Sequence, residues 1–263
     1  MTRIPLYQID AFASEPFRGN PAAVCPLDSF PADSAMQSIA AENNLSETAF
    51  LVAAGPGRYR LRWFTPTMEV ALCGHATLAS AWVVFERLAP RLTMVAFETR
   101  SGTLAVARGA GELVMDFPSL PASPVADPPA ALTAGLGARP SEVLRATNYL
   151  AVFDGEDDVR RLAPDFATLA TLHPYGVIAT APGRDRDFVS RYFGPSFGVP
   201  EDPATGSAHC TLAPYWAKRL GKAKLAARQV SKRGAELTVE HRGDRVAIAG
   251  QCVLFLEGEI VLS

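Results

Sequence analysis

Titratable and hydroxyl side chains gather around two glycines of this sequence. Cys73 and His75 flank Gly74, while Glu201, Asp202, Thr205 and Ser207 surround Gly206. Both glycines open apolar, helix-like segments. The bare backbone N–H groups at such helix N-termini carry partial positive charge and suit a carboxylate. The chemistry these residues offer is the binding of a small molecule's carboxylate, with titratable and hydroxyl groups beside it.

The two segments are also alike. Aligning Gly74–Ala81 with Gly206–Ala213 superposes both glycines, the alanines at 76 and 208 and those at 81 and 213, at an offset of 206 − 74 = 132, half of the 263 residues. This suggests two similar halves, each with one central helix entered through a glycine and a cleft between the halves. Chance likeness between two Ala-rich helices is the alternative.

The elements that must carry these segments read mostly as strands. In Tyr59-Arg60-Leu61-Arg62-Trp63 apolar and basic residues alternate with period two, which marks a half-buried strand. Further strands are expected at 6–12, 48–53, 94–99, 103–107 and 112–117, and beyond the middle of the chain at 148–154, 175–181, 187–193, 225–230, 236–240, 246–249 and 253–262. Asp33 or Ser34 can cap a helix reaching about Asn43. The nearly continuous apolar run 74–88 predicts a helix buried all round. The Pro-rich stretch Phe117–Pro124 favours an extended connection, so the expected lobes are 1–118 and 119–253, with a last strand at 254–263 returning to the first.

Several classes of function are not indicated. Twenty-five Lys and Arg against 27 Asp and Glu leave a formal charge of −2, which offers no basic face for nucleic acid. No apolar run approaches the ~18 residues of a membrane span. The N-terminus shows no export signal, and Cys25, Cys73, Cys210 and Cys252 form no Cys-x-x-Cys pair. A cytoplasmic protein is expected. Gly194-Pro195-Ser196-Phe197-Gly198 fits a hydrolase nucleophile pattern, but Val199-Pro200 stands where a helix should begin. His173 and His241 stand alone, and Asn20, in a Gly-Asn-Pro turn, reads as structural.

Five segments, taken in order, resemble the motifs of the phenazine-biosynthesis PhzF family. They are Phe17–Val24, Leu45–Phe50, Phe64-Thr65-Pro66 with Glu69, Cys73–Thr77 and Glu201–Ala208. The resemblance implies a diaminopimelate-epimerase-like α+β fold, with two pseudo-symmetric lobes, each a barrel-like sheet around a central helix, and the substrate bound between them. It implies that Glu47 moves a proton on carbon, with Asp202 and His75 assisting. Gly74 and Gly206 would hold the substrate carboxylate through backbone amides, beside Thr205 and Ser207. No cofactor or metal is implied, and a homodimer is.

The assignment of Glu47 makes physical sense, because a carboxylate in an apolar cleft has its pKa raised toward neutrality, and a neighbouring Asp202 would raise it further. The expected activity is a cofactor-independent isomerase that shifts a proton between carbons. Epimerases of the same fold use two opposed thiols. Cys73 stands where the first belongs and would serve as a base if the helix N-terminus depressed its pKa. Pro203 occupies the second position, which disfavours that rival. A non-catalytic binding protein is the third reading.

Overall fold

A computed structural model of the chain describes residues 1–262. Ser263, the end of the strand expected to return, lies outside them. The chain divides into two units, Met1–Asp116 together with the segment from Ala249 onward, and Phe117–Ile248.

The first unit runs β1 (Thr2–Ala11), β2 (Asn20–Leu27), α1 (Asp33–Asn43), β3 (Glu47–Gly55), β4 (Arg58–Phe64), β5 (Glu69–Val70), α2 (Gly74–Val83), β6 (Met94–Thr99), β7 (Gly102–Arg108) and β8 (Leu113–Pro118). The second carries β9 (Ser123–Pro124), α3 (Ala130–Leu136), β10 (Glu142–Arg145), β11 (Tyr149–Val152), α4 (Glu156–Arg161), α5 (Phe166–Ala170), β12 (Val177–Pro182), β13 (Phe188–Gly194), β14 (Val199–Asp202), α6 (His209–Leu220), β15 (Lys224–Gln229), β16 (Ala235–Arg242) and β17 (Arg245–Gly250). β18 (Cys252–Leu262) pairs with β1 over its whole length, from Thr2 opposite Leu262 to Ala11 opposite Cys252.

In the first unit β2 lies between β1, antiparallel, and β3, parallel, with Ala22 opposite Glu47. In β4 the alternation works as expected: Leu61 and Trp63 are buried, whereas Arg58 and Arg60 face water. α2 packs on β1, β2 and β3, and its residues from His75 to Ala81 are all buried. Removing such apolar surface from water at ~25 cal/mol per Å² is what holds a helix with almost no polar face. The run 74–88 is not one regular helix, since Val84–Leu88 forms a π-helical turn.

In the second unit β11 and β12 pair in parallel, β12 and β13 antiparallel, and β13 and β15 in parallel. Here the buried helix is α6, whose residues His209–Pro214 are all shielded from solvent. It does not begin at Gly206, as the repeat suggested. Gly206–Ala208 makes a single 3₁₀ turn that feeds into it, a common way to open a helix. Pro214 inside α6 leaves the Cys210 carbonyl without its helical donor, and the Leu120 N–H supplies one at 2.9 Å. Among the described residues no helix is long and apolar enough to cross a membrane.

Candidate active site

Glu47 is placed by the turn before it. α1 ends at Asn44, which adopts the left-handed conformation (φ 48°) and donates its N–H to the Ala40 carbonyl. The chain then reverses, and β3 begins at Glu47. Asn43 Nδ2 donates to the Thr48 hydroxyl at 3.1 Å, which ties the end of the helix to the start of the strand. The Glu47 side chain is only 14% exposed.

His75 reaches it from the first turn of α2. Its Nε2 lies 3.0 Å from Glu47 Oε2, a buried oxygen with no other hydrogen-bond partner among the described residues. On the opposite side of the ring, Asn20 Nδ2 approaches Nδ1 at 3.1 Å and Cys73 Sγ approaches it at 3.5 Å. Burial disfavours the imidazolium, but Cys73 and the Glu47 carboxylate outweigh it and hold the His75 pKa well above the usual histidine value. Burial and then the Glu47 charge push the Cys73 thiol up to about 11, so at neutral pH it is an uncharged thiol. The helix N-terminus therefore does not activate Cys73, contrary to the condition that a thiol base required. Sγ of Cys73, a ring nitrogen of His75 and a carboxylate oxygen of Glu47 lie within 4.8 Å of one another.

Asn20 was legible only as a turn residue. Gly19 before it has φ +64°, and a Cβ there would sit 2.1 Å from the Ala11 carbonyl oxygen, so only glycine fits. That turn starts β2 at Asn20 and aims its amide at His75. The Gly-Asn-Pro motif is thus structural, and what it supports is the catalytic candidate. Glu69, another motif residue, is engaged by Arg62 at 2.8 Å through both carboxylate oxygens and by Arg100.

In the second unit Asp202 ends β14 and accepts a hydrogen bond from the Thr205 hydroxyl at 2.5 Å. Gln229 clamps the loop between them. Its Oε1 accepts from the Thr205 N–H at 2.9 Å, and its Nε2 donates to the Asp202 carbonyl at 2.6 Å. His209 Nδ1 lies 2.9 Å from the Thr205 carbonyl. Burial lowers the His209 pKa to about 4, so the ring is neutral and Nδ1–H donates. Gly206 is buried and Ser207 is exposed, while Gly74 is half-buried at the start of α2. Glu201, one residue before Asp202, is held by Arg191 in a two-pronged ion pair at 2.7 and 2.9 Å.

The structure thus brings Glu47, His75 and Cys73 together in the first unit, and Asp202 and Thr205 together in the second.

A profile of phenazine biosynthesis-like proteins, PhzC–PhzF, matches residues 9–258. The chain is similar to an uncharacterized isomerase of Pseudomonas aeruginosa, 52% identical over 259 residues that cover 98% of this chain and 99% of the relative. It is also similar to the crystal structure of a PhzF-family phenazine biosynthesis protein from Enterococcus faecalis, with a TM-score of 0.96, 44% identity, and coverage of 99% of this chain and 100% of that one. A hydroxyproline epimerase from Agrobacterium vitis, solved with trans-4-hydroxy-L-proline bound, shares the fold alone, at a TM-score of 0.63 and 12% identity over 98% of this chain and 92% of that one.

Proposed function

Because this chain belongs to the PhzC–PhzF family of phenazine biosynthesis-like proteins, we propose that it is a cofactor-independent isomerase that shifts a proton between carbons of a small carboxylate-bearing substrate. The Glu47–His75 pair carries the reading. A carboxylate that takes a proton from carbon must be shielded from bulk water yet reachable, and Glu47 at 14% exposure meets both needs. His75, biased toward its protonated form, offsets the carboxylate's charge through Oε2. The other oxygen is then left to accept the proton from one carbon and return it to another. The double bond moves as the proton does, and no electrons leave the substrate.

Asp202 is assigned an assisting role with the proton on the motif alone. On the same ground Gly74, Thr205, Gly206 and Ser207 are assigned to the substrate carboxylate. Thiol-based epimerisation is the weaker reading, because burial pushes Cys73 up to about 11 and Cys210 to about 12, away from the thiolate that it needs.

The test is incubation in deuterated water with a panel of cyclic and amino-acid carboxylates, followed by NMR. Deuterium entering one carbon as unsaturation moves away from it supports the proposal. Exchange confined to an α-carbon, with racemisation, replaces it with the epimerase. Exchange with no member of the panel favours a binding protein.

A further inference from the structure

We infer that Gln229 is a positioning residue for Asp202: through the Thr205 hydroxyl it directs a proton donor onto the Asp202 carboxylate, so that Asp202 meets the substrate in its charged form, able to accept a proton. The inference rests on the isomerase reading insofar as Asp202 assists with the proton, whereas the relay itself rests on hydrogen-bond geometry. Gln229 is the last residue of β15 and stands between two partner strands, opposite Ser190 of β13 and Ala235 of β16. It is 1% exposed, and both ends of its side-chain amide are spent on the loop 202–205.

The direction of each hydrogen bond follows from the groups available. The Thr205 N–H can only donate and the Asp202 C=O can only accept, so the Gln229 amide has one orientation, with Oε1 toward the first at 2.9 Å and Nε2 toward the second at 2.6 Å. The second Nε2 proton points to the Thr205 hydroxyl at 3.2 Å and occupies one of its lone pairs. That hydroxyl has a single proton to give, and Asp202 Oδ2, 2.5 Å away, receives it. Donors thus run in one sense from Gln229 through Thr205 to Asp202, and each bond in such a chain strengthens the next. A donor to the charged form lowers a carboxylate's affinity for protons.

The surroundings keep the relay in place. From the turn after β15, Ser231 Oγ donates to the Pro203 carbonyl at 2.8 Å and accepts from the Gly234 N–H at 3.1 Å. His209 holds the Thr205 carbonyl. The titratable groups that these contacts and the strand pairing place around Asp202 are Tyr192, opposite it in β13, Glu201, which Arg191 neutralises, and the neutral His209. Burial and then the Asp202 charge push the Tyr192 hydroxyl up to about 12, so none of the three adds a net charge beside Asp202 at neutral pH.

The test is carbon NMR of the full chain labelled at its aspartate carboxyl carbons, with the Asp202 signal assigned by its loss in Asp202→Asn. Thr205→Val removes the hydroxyl and should raise the Asp202 titration midpoint by about one pH unit. Gln229→Met should raise it too, and the double variant should go no further than Thr205→Val alone. A midpoint unmoved in Gln229→Met, as a merely structural glutamine predicts, overturns the relay, and so do additive shifts in the double variant. If Gln229→Met does not fold, Thr205→Val decides: a raised midpoint supports the relay and an unmoved one overturns it. These readouts need no turnover. In the deuterium assay the acid limb of the pH profile should move with the midpoint. Midpoints that shift as stated with no exchange on any carboxylate remove only the isomerase reading, and exchange with unmoved midpoints removes only the relay.

Discussion

Glu47 and Cys73 both stand beside His75, and substitution separates their roles. Glu47→Gln keeps the side chain's size and removes its basic oxygen, so proton exchange should fall by ~10² to 10⁴ in the deuterium assay while the circular dichroism spectrum is preserved. Cys73→Ser should cost no more than a few fold, because a thiol held up at about 11 is not the base. A loss confined to Cys73→Ser would instead identify a thiol epimerase. The sequence could nominate these residues, since the Ser-Glu-Thr and Cys-Gly-His segments are contiguous motifs. It could not show that burial outweighs the helix N-terminus at Cys73. Nor could it show that Asn20 reaches the ring of a histidine 55 positions away, because that contact is made by the pairing of β2 with its neighbours.

At the scale of elements, strands with clear alternation were readable, and 94–99 coincides with β6. β2 was missed because Pro21 and Pro26 fall within its eight residues and proline cannot donate to a ladder. The 3₁₀ turn at Gly206 was likewise invisible, since it is fixed by Gln229 and His209, one distant in sequence and the other within what had read as helix. The turn that opens β2 is the most restrictive of these local features. Gly19→Ala forces an L-residue into φ +64° with its Cβ against the Ala11 carbonyl, and a loss of about 2 to 4 kcal/mol is expected. Urea unfolding should show it as a lower midpoint at an unchanged slope. Activity should fall as well, because Asn20 loses its aim.

For the whole molecule, the buried His209 makes stability depend on pH. Its folded pKa is about 4 against about 6.5 for a free histidine, so between those values the unfolded chain binds a proton that the folded chain refuses. Its contribution is therefore complete above pH ~6.5 and is lost as pH falls through 4, by roughly 3 kcal/mol. Denaturation midpoints measured from pH 7 to 4 should drop accordingly. His209→Asn, which retains a donor for the Thr205 carbonyl, should flatten that slope, and an equal slope in the variant would assign the acid sensitivity to other groups.

The pairing of β1 with β18 orders events during synthesis. β1 leaves the ribosome before the second unit, yet its partner strand follows only after the whole of that unit. The first unit, which holds Glu47 and His75, therefore cannot close its sheet while the second is still being translated. Until then a nascent chain carries β1 with one edge open, guarded by Arg3 and by Pro5, residues that discourage strand-to-strand aggregation. Catalytic competence should thus arise late and all at once, and ribosome-stalled chains lacking β18 should display a finished second unit and an inert first one.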